Sequence, residues 1–416
     1  MRDKIKTLVK CRVCGAKDFY DFLDLGTIPI PNGFLSKEDL TKKEEKYPLV
    51  VTICANCHLV QLRHNVNPKI MFSNYLYIPS ASKTRINNFR ELSKAVKKKI
   101  LLDDKSLVVD IGSNDGSLLN YFKNFGVQVL GVDPAKNLVT VAKLNGIPTV
   151  HSFFMQTIAK RIVKKHKKAS VMLATNVVAH VNNLHDFFKA INILLSDDGV
   201  FVCQFPYLLD LIEKNQFDTI YHEHLSYFSL KPLMKLASIH DLDIFDIEKM
   251  DLDGGSVRVY WKKKKNKKWS INQKRINKLL HEENNAGLYD KKTYDKFAKR
   301  IKKLKSEVKK ELLILKKRNS KIVGYGAAAK GNILLNYFEV GSDILDYIVD
   351  STPYKQGLYT PGTHIPIFEE NKIETTKPEY LLLLAWNFKD EIIQKSELHK
   401  KRGGRFIVTV PSLQII

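Results

Sequence analysis

Residues 108–119 read VVDIGSNDGSLL: an apolar strand, a glycine-containing turn and the start of a helix. One strand later, residues 131–135 read GVDPA, with Asp133 at the strand end. The pattern extends outward in both directions. Strands are predicted at LVVDIG (107–112), VQVLGVD (127–133), VMLATN (171–176) and VFVCQF (200–205), with helical segments between them. Strands that alternate with helices give a parallel, doubly wound sheet. A helix is predicted over 79–105. Past Phe205 the rhythm is irregular: HLSYFSL (224–230) and GGSVRVYW (254–261) read as strands, and KKKKNKK (262–268) as a solvated turn or strand end.

A second alternation follows. Residues 272–318 read as mainly helical, and YDKFAKRIKKLKSEVKKELLILKK within them spaces its apolar residues by three and four, the mark of an amphipathic helix. KIVGYG (321–326), DYIVD (346–350), EYLLLLAW (379–386) and RFIVTV (405–410) are the strands of a second α/β unit. Residues 1–78 instead hold two CxxC pairs and few periodic segments, as in a small loop-rich unit that needs a staple. The expected organisation is a small metal-binding domain over 1–78, a Rossmann-like domain over 79–270 and a second Rossmann-like α/β domain over 271–416.

The turn at 112–117 lacks the GxGxxG spacing that cradles a pyrophosphate. Gly112 lets the backbone pass close to a ligand, and the amides after it sit at a helix N-terminus. Asp133 is placed to accept both hydroxyls of a ribose. An adenosyl ligand without phosphates fits this arrangement, which means S-adenosylmethionine (SAM). The candidate cofactor residues are Asp110, Gly112, Ser113, Asn114, Asp133, Pro134 and Asn176.

Of five cysteines, Cys11, Cys14, Cys54 and Cys57 form the two CxxC pairs. Each pair fits a tight turn that points two thiolates at one ion, and four thiolates complete a closed tetrahedral shell, the structural form of zinc binding. Zinc with no open coordination position is structural, not catalytic. His58 adjoins Cys57 and reads as a packed or surface residue once four cysteines are present. Cys203, in GVFVCQF, reads as a buried core thiol.

The net charge is +24, mostly from lysines spread along the chain. With no basic aromatic strip, that charge reads as solvated surface, so neither a nucleic acid nor a membrane is an expected partner. The N-terminus has no apolar signal region and no run of about 18 apolar residues occurs, so a cytoplasmic, soluble monomer is expected.

Five motifs in one order carry a resemblance over nearly the whole length: CRVCG with CANCHLVQL, GSNDGSLL, YHEHLSYFS, GYGAAAKGNILLNYF and KQGLYTPGTHIPI. The chain resembles the sugar C-methyltransferases that act on nucleotide-linked 4-keto-deoxysugars. The resemblance implies an N-terminal zinc domain, a middle SAM domain and a C-terminal Rossmann-like domain. It implies that His224, in the segment Tyr221, His222, Glu223, His224, is the base. Tyr221, Glu223 and His180 then line the site, joined by Tyr75 or Tyr77 from MFSNYLYIPS. It places the substrate's nucleotide in the C-terminal unit, where Gly324, Gly326, Lys330 and Asn332 are candidate ligands of a diphosphate.

The chemistry agrees with such a set. A ketone acidifies the hydrogen on the neighbouring carbon, which the resemblance implies is C-3 of the sugar, and loss of that proton gives an enolate able to attack an electrophilic methyl group. A base that titrates near neutrality and donors for the oxyanion are needed. His222 and His224, two apart on a predicted strand, are expected to share a face. The rival readings are a zinc-containing RNA methyltransferase, marked by salt-dependent RNA binding, an NAD-dependent nucleotide-sugar enzyme using GYGAAAKG as its cofactor loop, and a zinc-scaffolded binding protein that takes no SAM.

Overall fold

The decisive strand forms as Leu107–Ile111, buried along its whole length. It is an interior strand of a seven-stranded sheet in the computed structural model, which describes residues 4–72, 75 and 78–416. The order across that sheet is Thr149–His151, Gln128–Asp133, Leu107–Ile111, Ala169–Thr175, Leu195–Pro206, Ser256–Lys263 and Leu242–Met250. The first five strands pair in parallel, and Ser256–Lys263 pairs antiparallel with both of its neighbours, Leu195–Pro206 and Leu242–Met250. Near-continuous apolar sequence is what strands covered on both faces require. Chain order reverses between Leu107–Ile111 and Ala169–Thr175, so a crevice opens at the carboxyl ends of these two strands. The helix before the sheet runs over Lys83–Lys99, capped where Arg85 N–H donates to Ser82 Oγ at 3.3 Å.

The N-terminal unit is less loop-rich than its sequence suggests. Phe19–Ile28 and Tyr47–Cys54 pair antiparallel, and Val60–Leu62 extends the sheet. Two register shifts in the first pair break the period-two pattern that would have marked these strands. The fourth strand is Ser226–Tyr227, which pairs with Val60–Leu62. Thus HLSYFSL is not an extended strand. Only two of its residues pair, and the chain before them turns, with His224 N–H donating to Tyr221 O at 2.8 Å. Burial of this whole segment, not alternation, explains its apolar character. KKKKNKK opens as a strand end, since the strand Ser256–Lys263 includes its first two lysines, but these are not solvated: Lys262 and Lys263 are buried and Lys262 Nζ donates to the carbonyls of Asn266 and Trp269.

The C-terminal sheet has the order Ile367–Phe368, Ile348–Val349, Ile322–Tyr325, Tyr380–Leu383, Arg405–Val408 and Gln414–Ile415. All but the last strand are parallel. Its own reversal lies between Ile322–Tyr325 and Tyr380–Leu383. Helices Gln273–Asn285 and Lys291–Lys317 precede it. The second buries Tyr294, Phe297, Ile301, Leu304, Val308, Leu312 and Leu315, as its spacing predicts. Cys203 is a buried core thiol that accepts the Trp261 Nε1–H at 3.1 Å. Among the described residues no helix is long and apolar enough to cross a membrane.

Candidate active site

The two crevices open into one cavity of about 560 Å³, walled by residues from all three units. On the side of the seven-stranded sheet its lining includes Asp110, Gly112, Ser113, Asn114, Asp133, Pro134 and Asn176, all seven cofactor candidates. Gly112 has φ +68, and a Cβ there would lie 2.5 Å from Val177 Cγ2, so both backbone and packing demand glycine. Its N–H donates to Val132 O at 2.8 Å, which stitches the first turn to the next strand. Asp133 bridges both turns: Oδ2 accepts from Asn114 N–H at 2.9 Å and Oδ1 from Ala135 N–H at 2.8 Å.

Among the described residues, Asp110 Oδ1, Ser113 Oγ and Asn176 Oδ1 in this crevice are buried and find no hydrogen-bond partner. Burial, with Asp133 beside it, holds the Asp110 carboxyl well above the ordinary carboxylate range. Burial raises Asp133 as well. A ligand that brings positive charge and hydroxyl groups satisfies such a set, and SAM carries both. Phe153, Phe154 and Met155, just after Thr149–His151, add an apolar rim to the cavity.

His224 lines the cavity and His222 does not. The turn at 221–224 sends the two rings apart, contrary to the shared face expected of a strand. His222 Nε2 meets Tyr47 O of the N-terminal sheet at 3.2 Å. His224 Nδ1 donates to Thr219 O at 2.7 Å, so its proton sits on Nδ1 and Nε2 keeps a lone pair. Its ring lies 3.9 Å from that of Tyr221 and 4.9 Å from that of His180. Burial, then His180, holds His224 well below its usual value, against the Thr219 bond. Burial alone pushes His180 down to about 4, and its Nε2 is buried with no partner among the described residues. Both rings are neutral at neutral pH.

Glu223 stands behind the cavity wall, not in it. Its two oxygens accept from Asn32 Nδ2 at 2.6 Å and Tyr75 OH at 2.9 Å, and those two residues do line the cavity. Burial raises the Glu223 carboxyl to about 7. Of the tyrosine pair left open by sequence, Tyr75 is at the site, and Tyr77 lies outside the described residues.

In the C-terminal unit, Gly326 and Lys330 line the cavity. Gly324 and Asn332 do not. Gly324 is a packed strand residue whose Cβ would lie 2.7 Å from Ile348 Cγ1, and Asn332 Nδ2 turns away to donate to Pro31 O at 2.6 Å. Sequence reading missed Asn32, Arg85 and Asp253. Arg85 donates twice to the Asp253 carboxylate, at 2.7 and 2.9 Å, and Lys330 Nζ donates to Asp253 O at 3.2 Å. Burial alone would raise Asp253, but Arg85 and Lys330 outweigh it and hold the carboxyl below its ordinary value. No local motif marks these three residues, since their partners lie far away in sequence.

Cys11, Cys14, Cys54 and Cys57 gather with all four sulfurs within 4.8 Å of one another. Tetrahedral thiolates at ~2.3 Å from zinc stand about 3.8 Å apart, so the cluster matches that donor set. The two knuckles are alike: Gly15 N–H donates to Cys11 O and His58 N–H to Cys54 O, each at 3.0 Å. Gln61 Nε2 and Val13 N–H donate to Cys11 Sγ, the outer-shell bonds that steady a thiolate. His58 packs on Tyr289 and is outside the cluster.

Known proteins match this architecture unit by unit. A zinc binding domain model matches residues 11–72, a methyltransferase domain model residues 84–245, and a C-methyltransferase C-terminal domain model residues 251–411. C-methyltransferase NovU of Streptomyces niveus is 35% identical over 418 residues, spanning 100% of this chain and 99% of that relative. The ubiquinone biosynthesis O-methyltransferase of Pelagibacter ubique (strain HTCC1062) is 27% identical over 133 residues, 29% of this chain and 55% of its own. The solved plantazolicin methyltransferase BpumL in complex with SAH aligns with a TM-score of 0.35 at 14% identity, covering 44% of this chain and 86% of that one. With the full-length relative and the three domain matches in agreement, the chain belongs to the family of SAM-dependent C-methyltransferases.

Proposed function

We propose that the chain methylates the carbon beside the keto group, C-3, of a nucleotide-linked 4-keto-deoxysugar through an enolate, and that its four cysteines hold one structural zinc ion. The observation that carries this reading is His224: a cavity-lining imidazole whose Nδ1–H is fixed on Thr219 O, leaving Nε2 as the basic nitrogen.

His224 Nε2 takes the proton from the carbon next to the carbonyl, and the electron pair of that C–H bond passes into the enolate. Tyr221 and His180 stand beside His224 and can donate to the oxyanion if His180 carries its proton on Nε2. In a buried site such donors act strongly. SAM supplies the electrophilic methyl group. Asp133, Asp110 and the turn at Gly112 hold it, and Glu223 steadies Asn32 and Tyr75 along the wall facing it. The low basicity of a buried imidazole is offset where these donors make the carbon acid stronger.

The test is direct incubation with SAM and a nucleoside-diphosphate-linked 4-keto-deoxysugar in heavy water. The expected product carries one new C-methyl group at C-3, and unmethylated substrate gains deuterium there when SAM is withheld. Methyl transfer to oxygen, or none to any keto-sugar, overturns the proposal.

A further inference from the structure

His224 takes its tautomer from a carbonyl that is held from another unit of the chain. Thr219 O, which receives the His224 Nδ1–H, closes the short turn Phe217–Thr219, and that turn is fully buried. The C-terminal unit grips its first two residues. Phe217 packs its ring against Tyr337 and Phe338 of helix Ala329–Phe338, with centroids 5.1 and 5.4 Å away. Asp218 Oδ2 accepts the Trp386 Nε1–H at 2.5 Å, and Trp386 opens the turn Trp386–Phe388 after strand Tyr380–Leu383. The indole lies flat against Gly254 (φ +91), where a Cβ would come 2.8 Å from Trp386 Cη2. Gln216, just before the buried turn, donates its Nε2–H to Gly254 O at 2.6 Å. Asp218, Thr219 and Trp386 do not line the cavity, but Lys330 does, and its Nζ stands 5.0 Å from the centre of the Trp386 ring.

A neutral imidazole carries its proton on either nitrogen, and the bond made by one nitrogen decides which is left basic. Here that bond is to Thr219 O, whose direction is set by the backbone of the residue before it, Asp218. The side chain of Asp218 is tied to an indole more than a hundred residues away in sequence. We infer that the Asp218–Trp386 hydrogen bond is a positioning device for His224: it holds the turn 217–219 so that Thr219 O selects the Nδ1–H tautomer, and it makes alignment of the base depend on the seating of the C-terminal unit. The effect on turnover rests on the reading of His224 as the base, whereas the tautomer is a property of the folded chain.

Nitrogen NMR of the full chain carrying isotope-labelled histidine tests it, with the His224 signals assigned by their absence in His224→Gln. The unaltered chain should hold His224 in the Nδ1–H form alone. Trp386→Phe keeps an aromatic ring and removes the donor, and should show both tautomers. Its kcat and its deuterium uptake beside the carbonyl should fall about 10- to 100-fold, since misplacing a reacting group by about 1 Å can cost about 100-fold. KM and SAH affinity should stay as they are. Asp218→Asn keeps an acceptor oxygen for the indole and should retain the single tautomer and most of the turnover, while Asp218→Ala should match Trp386→Phe. A single Nδ1–H tautomer in Trp386→Phe overturns the inference, whatever happens to turnover. So does an Asp218→Asn as impaired as Asp218→Ala, or a loss of SAH affinity as large as the loss of kcat. If the unaltered chain methylates no keto-sugar, the proposed reaction fails and the tautomer populations alone decide the role of Asp218 and Trp386.

Discussion

His222 and His224 differ by two positions and by everything that matters chemically. One ring is held against the N-terminal sheet and the other lines the cavity. His224→Ala should cut turnover ~10²–10⁴-fold, the usual contribution of a positioned proton transfer. It should also abolish deuterium uptake beside the carbonyl while SAH still binds. His222→Ala should leave exchange in place, and loss of exchange in that variant alone would reverse the assignment. Asp133→Ala should weaken SAH binding by ~1.5–3 kcal/mol, the worth of hydrogen bonds to a charged group. Calorimetry checks this, and normal SAH affinity would show that the strand-end carboxylate does not hold the cofactor. Asp133 was legible because a strand, a turn and an acid one strand later form a local pattern. Asn32 was not, because its place at the site depends on Glu223, which is distant in sequence.

At the scale of elements, the N-terminal sheet and the segment that carries His224 are one object. Ser226–Tyr227 is the fourth strand of that sheet and begins two residues after His224. The loop after Phe19–Ile28 carries Asn32 to the cavity wall, while Pro31 O receives Asn332 and Leu35 pairs with Tyr359 of the C-terminal unit. The four-cysteine cluster is therefore joined to the cavity through this sheet. Metal analysis should find about one zinc per chain. Cys54→Ser should lower thermal stability, since metal binding is coupled to folding, and should lower turnover more than SAH affinity. A zinc-free chain of undiminished stability and activity would refute the link.

At the scale of the whole molecule, the site is built by burial, and burial sets its response to acid. His180 and His222 are each pushed down to about 4. Between their ordinary value near 6.5 and about 4 the folded chain binds fewer protons than the unfolded one. The stability these neutral rings contribute is present above pH 6.5 and is lost as pH falls toward 4. Glu223, raised to about 7, works the other way: its contribution is present below its usual 4.5 and is lost as pH rises through about 7. Each histidine accounts for about 2 kcal/mol of the difference between pH 7 and pH 5. Urea titration should show His222→Gln losing less stability over that interval than the unaltered chain. An equal loss in both would remove His222 from the account.

What the sequence determined by itself was whatever depends on neighbours along the chain. The glycine turn at 112 followed by Asp133, the CxxC knuckles and the amphipathic helix Lys291–Lys317 are local in this sense, because turn geometry, two-thiol spacing and helical period are set within a few residues. What only the tertiary structure decided was which side chains share a space. Alternating apolar residues in HLSYFSL looked like a strand, but their burial comes from three domains meeting around a turn. That turn separates His222 from His224 and draws Glu223 behind Asn32 and Tyr75, and packing of the C-terminal unit on the N-terminal one leaves Asn332 donating to Pro31 O and outside the cavity lining. Contacts between residues hundreds of positions apart are made by packing, and no period in a single chain encodes them.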